Sequence, residues 1–166
     1  MPVSEPSRRT GLYGRTRALL VLGLVVTILH HVDHVLRVDH SGWPFRSVVT
    51  PFTFSLLAYP MILFALLGPR RLIWRRWAFL GVGTAVTLVA HTVIESPQMQ
   101  YAMWADNRSL DPHAAGLHNL INIQSPVMGD AAVAIGMALN VIAVLATLSM
   151  LIDGLRLRRE AKAIPV

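Results

Sequence analysis

Four long apolar stretches separated by short polar ones organise the chain, running from Ala18 to Leu36, Phe52 to Leu67, Trp77 to Ile94 and Val127 to Ile152. Each approaches the roughly 20 residues that a helix needs to cross a hydrocarbon layer about 30 Å thick. The pattern predicts an all-α integral membrane four-helix bundle, with spans at about 18–40, 51–67, 77–95 and 126–152. Local chemistry punctuates the same boundaries. Thr50-Pro51 and Ser125-Pro126 read as an N-cap followed by a first-turn proline, and Ser41-Gly42 and Gly68-Pro69 read as stops. What remains is a leader (1–17), a long connection (96–125) and a tail (153–166).

That connection is expected to hold one or two short interfacial helices. "SPQMQYAMW" opens on a cap, with Tyr101 and Trp104 as interface anchors. "LDPHAAGLHNLINIQ" has Asp111 as N-cap and Pro112 in the first turn, and reads as a lid or re-entrant helix over the outer mouth that brings His118 toward the cluster.

Composition fits this reading: 54% of residues are hydrophobic, only 14% are charged, and mean hydropathy is +0.51. The net charge of +6 raises nucleic acid as a partner, but the positions of the charges argue against it. Arg8, Arg9, Arg15 and Arg17 precede the first span; Arg70, Arg71, Arg75 and Arg76 link the second and third; Arg156, Arg158, Arg159 and Lys162 follow the fourth. Those 12 of 15 basic residues fall on one side of a four-span layout, so the positive-inside rule predicts both termini in the cytoplasm. The expected location is a cell membrane, plasma or inner, with the lipid bilayer as first partner. A homo-oligomer or a partner membrane subunit is compatible with the pattern. With no cysteine, thiolate metal ligation and thiol nucleophiles are excluded.

All seven histidines fall on the other side. His30, His31, His34 and His40 come late in the first span, His91 late in the third, and His113 and His118 in the long connection. At about 1.5 Å rise per residue, His30 stands about 20 Å above Arg17, and His91 about 21 Å above Trp77, so the two are expected at one level. Asn140, about 18 Å above Ile152 by the same rise, can join them. His34 and Glu95 form the next layer out.

His30, Asp33, His34 and Arg37 stand at i, i+3, i+4 and i+7, one face of a helix, while His31 points elsewhere. His91 and Glu95 form an i, i+4 pair on the third span. Asp33 and Arg37 suit an intrahelical ion pair. Ionisable groups at membrane depth are costly unless paired and normally face the bundle interior at functional sites.

The residues therefore predict a transition-metal site, zinc, iron or copper, with His30, His34, His91 and Glu95 as ligands. Asp33, Arg37, Glu95 and His118 are the candidates for catalytic roles on an apolar or lipid-like substrate. Haem or quinone chemistry with His30 or His34 and His91 as axial ligands is an alternative. So are metal-free His91/Glu95 acid–base catalysis, as in an isomerase, and proton or metal transport.

Overall fold

The protein is described by a computed structural model over residues 9–37 and 51–163. All regular structure there is helical, with no strand among the described residues. Helix α1 spans Gly14–Arg37. A 3-10 segment, Pro51–Leu57, leads into α2, Ala58–Leu67. Helix α3, Ile73–Val89, runs into a π turn, Ala90–Ile94; α4 is Pro97–Ala105, and α5 is Pro126–Lys162.

Three helical stretches are long and apolar enough to cross a membrane: Gly14–Arg37, Arg70–Ile94 and Pro126–Lys162. The second expected span is a shorter apolar helix, Phe54–Leu67. His40, Asp39, Arg46, Ser41-Gly42 and Thr50 lie outside the described residues.

Helix α1 shows why these helices suit lipid. Its buried residues include Thr16, Thr27, His30, Asp33, His34 and Arg37, whereas Val21, Leu22, Val25, Ile28, Leu29 and Val32 are exposed. A soluble helix has the opposite polarity. Polar groups facing inward and branched apolar groups facing outward are what a hydrocarbon solvent demands.

Helix α5 is the central element and packs against α1, α3 and α4. Small residues permit the approach. A Cβ on Gly136 would stand 2.8 Å from Gln100 Oε1, and one on Gly129 would stand 2.8 Å from the Tyr101 ring. Glycine at these two positions lets α4 lie directly on α5. Both prolines that open these helices follow working caps: Ser96 Oγ accepts from Met99 N–H and Ser125 Oγ from Met128 N–H.

The arginine-rich end holds an apolar core of Leu12, Leu20, Ala65, Ile73, Leu80, Ala146 and Met150. Arg76 is fully buried beside it; its Nε donates to the Ala65 carbonyl at 3.1 Å, and its Nη1 donates to the Thr10 carbonyl at 2.6 Å. The Ala65 carbonyl, left open at the C-terminal end of α2, is thereby satisfied. Asp153 accepts from Tyr13 N–H at 3.1 Å, and α5 continues helical past Ile152 to Lys162.

The connection departs from expectation in its second half. Helix α4 forms, but the stretch from Asp111 contains only a 3-10 turn, Pro112–Ala114. Gly116 and Asn122 adopt positive φ values of 83° and 51°. Asn119 donates to the Met103 and Ile123 carbonyls and accepts from Ile123 N–H. Asparagine side chains that bond the backbone in this way compete with helix formation.

Candidate metal centre

The stripe His30, Asp33, His34 and Arg37 lies on the buried face of α1, near its C-terminal end. Opposite it, the chain leaves α3 through the π turn. Glu95 N–H donates to the Ala90 carbonyl at 2.7 Å, five residues back, and Glu95 itself is extended at φ −128°, ψ 91°. A proline two residues on keeps Ser96 extended too, at ψ 157°. His91 and Glu95 are thus not a regular i, i+4 pair. The π turn, a local widening of the kind found at functional sites, sets their relative orientation.

These two segments bring four buried side chains together. One ligand atom from each of His30, His34, His91 and Glu95 lies within 4.8 Å of all the others. His34 Nε2 stands 2.9 Å from His30 Nε2 and 3.2 Å from Glu95 Oε2. The His30 and His91 rings meet edge-on with centroids 4.5 Å apart. Their exposures are 4%, 6%, 5% and 0%, so none of the four is solvated. His30 and His91, expected at one level, meet, and His34 and Glu95, both expected in the next layer out, face each other at 3.2 Å.

Each end of the group is braced by neighbours. His91 Nδ1–H donates to Asn140 Oδ1 of α5 at 3.0 Å, leaving Nε2 with its lone pair. Arg37 Nη1 meets Glu95 Oε1, while its Nε donates to Asp33 Oδ2 at 2.7 Å. Asp33 Oδ1 in turn accepts from Trp104 Nε1 at 2.8 Å. A chain of contacts therefore runs from Trp104 through Asp33, Arg37 and Glu95 to His34.

Three imidazoles and one carboxylate make a donor set suited to divalent first-row metals. In tetrahedral coordination with bonds of about 2.0–2.1 Å, neighbouring donors stand about 3.3 Å apart. The observed 2.9 and 3.2 Å are close to that edge. The spacing across all four donor atoms reaches up to 4.8 Å, so holding an ion would draw the wider pairs together by about 1.5 Å. A haem iron between His30 and His91 fits less well. Two imidazoles bonded at about 2.0 Å on opposite faces of an iron hold their ring centroids about 6 Å apart, against the 4.5 Å found.

Other expected residues lie elsewhere. His118 is exposed, bonded through Nδ1 to the Asn107 carbonyl at 2.6 Å, and makes no hydrogen bond or ion pair to the four. The absence of a helix in its segment accounts for this. The side chain of His113 lies outside the described part. His31 turns to the second helix, with Nε2 2.7 Å from Ser55 Oγ and Nδ1 3.0 Å from Tyr59 Oη. Trp104, expected as an interface anchor, is 1% exposed and serves Asp33 instead. Its place on the buried side of α4 was not legible, because α4 shows no one-sided apolar pattern.

Comparison with protein-family models, with curated proteins and with solved structures gives no match for this chain.

Proposed function

We propose that the chain is a small membrane metalloprotein whose His30, His34, His91 and Glu95 hold one divalent transition-metal ion. In this reading four spans cross a cell membrane, both termini are cytoplasmic, and the site lies toward the outer face. The convergence of four buried donor atoms from two separate segments carries the reading. Four such groups left empty at membrane depth would be costly. An ion that exchanges their lost hydration for coordination removes that cost.

The activity proposed is enzymatic, on an apolar or lipid-like substrate entering from the bilayer. The metal would supply Lewis-acid activation of water or an oxidation. Asn140 would fix the tautomer of His91, and Arg37 the orientation of Glu95, as outer partners do in metal sites. Support for an enzyme over a transporter comes from the other half of the molecule. An apolar core with Leu20, Leu80 and Met150 packs there, and the buried Thr16, Ser149 and Thr84 hydroxyls are bonded within the bundle. A second reading, metal-free proton transfer, draws on the 3.2 Å contact between His34 and Glu95.

Elemental analysis of protein purified in detergent without chelators separates these readings. About one equivalent of a single metal per chain is expected. Metal-free protein that takes up none on reconstitution would leave proton transfer.

A further inference from the structure

We infer that Arg37 completes a second binding position beside the metal, one that takes a small oxygen monoanion of the carboxylate class. The inference rests on the metal reading above and adds a ligand to it.

Arg37 is 0% exposed, yet its guanidinium is only partly engaged. Nε serves Asp33 Oδ2 and Nη1 pairs with Glu95 Oε1, whereas among the described residues the buried Nη2 has neither a hydrogen-bond nor an ion-pair partner. That nitrogen carries two N–H groups and no capacity to accept. Buried donors are nearly always satisfied, and the nearby carboxylates face other groups, Asp33 through hydrogen bonds and Glu95 through ion pairs. Asp33 accepts from both Arg37 and Trp104, and Glu95 is divided between Arg37 and His34. The free donor therefore marks a place for an acceptor brought in from outside.

Charge gives the sign of that acceptor. Histidines that ligate through neutral imidazole add nothing. A divalent ion brings two positive charges, Arg37 one more, and Asp33 and Glu95 together two negative ones. The site is left with one positive charge in an apolar segment, where unbalanced charge is disfavoured. One monoanion neutralises it; a neutral ligand or a dianion does not. Coordination chemistry leaves room as well, because four-coordinate ions of this type can expand to five. Arg37 and the metal share Glu95 between them, so a planar carboxylate can take one oxygen to each. Guanidinium–carboxylate pairing is geometrically matched.

The test uses the full chain in lipid nanodiscs, loaded with cobalt(II), whose d–d absorption reads coordination. Sodium formate is titrated at constant ionic strength, with sodium chloride as the control. A saturable spectral change with formate is expected in the wild type. Its affinity, measured at cobalt concentrations that saturate the weakened metal site, should fall about tenfold or more in the charge-balanced double variant Arg37→Gln with Asp33→Asn. If that variant does not fold, relaxation of ¹³C-formate in the wild type decides. Enhancement typical of a metal-bound ligand supports the inference, and none overturns it. An unchanged wild-type spectrum, or equal formate affinity in a folded variant, also overturns it. Failure to take up cobalt at all sinks the metal reading and this inference together, whereas cobalt uptake without a formate response sinks only the inference.

Discussion

His34 Nε2 and Glu95 Oε2 stand 3.2 Å apart although their positions in the chain differ by 61, and both side chains are buried. One comes from the last turns of α1, the other from the exit of the π turn after α3. Glu95 also meets Arg37, so it joins the metal group to its cationic brace. Replacing Glu95 with Gln keeps the shape and removes the charge. Breaking one side of a buried pair costs about 3–5 kcal/mol. Thermal unfolding in detergent should therefore move down clearly, and the surviving folded protein should bind metal far more weakly. An unchanged melting point with full metal content would contradict the role assigned to Glu95.

Asn140 is hydrogen-bonded to the group at His91, at 3.0 Å. Asn140→Leu should leave the fold largely intact and lower metal affinity by about 10–100-fold. Chelator competition on wild type and variant measures this, and equal affinities would remove Asn140 from the account.

Trp104 offers a cleaner separation of packing from hydrogen bonding. Trp104→Phe keeps an aromatic ring but deletes the donor to Asp33 Oδ1. Loss of one hydrogen bond to a buried charged group costs about 1.5–3 kcal/mol, and Asp33 then holds Arg37 less firmly. A melting temperature equal to wild type would show that Asp33 draws nothing from Trp104.

Gly136 tests the seating of α4. Alanine there places a Cβ 2.8 Å from Gln100 Oε1, and Gln100 Nε2 donates to the Glu95 carbonyl at 3.4 Å. Overpacking of this kind costs about 1–3 kcal/mol. Gly136→Ala should lower both thermal stability and metal affinity, because the displaced Gln100 adjoins the metal group. Loss of stability with metal affinity unchanged would confine Gly136 to packing.

Membrane orientation can be read from single cysteines, since the chain has none of its own. Ala115 and Ala161 are both exposed, on the long connection and near the end of α5. An impermeant maleimide on intact cells should label Ala115→Cys and leave Ala161→Cys unlabelled until the membrane is opened. The reverse pattern would invert the proposed topology.

Much of this site was legible in the sequence because helical geometry is rigid. The spacing of His30, Asp33, His34 and Arg37 dictates one face, and counting rises from the arginine-rich end placed His91 and Asn140 level with it. Contacts that depended on irregular backbone were not legible. Nothing in "AHTVIESP" announces a π turn, so the regular i, i+4 pairing of His91 with Glu95 was the natural expectation. The segment after Asp111 has apolar residues at helical spacing, yet Asn119 and the positive φ at Gly116 and Asn122 turn it into a bonded loop. His118 went with it. Trp104 resembled an interfacial tryptophan because composition cannot show which side of a nine-residue helix is covered.

X-ray absorption at the metal edge, on full-length protein carrying one equivalent of its metal, tests the central claim most directly. The account predicts a first shell of nitrogen and oxygen donors at about 2.0–2.1 Å, with multiple scattering from three imidazole rings that weakens in His30→Ala, His34→Ala and His91→Ala alike. A spectrum without imidazole scattering, or one that none of these substitutions alters, would contradict it.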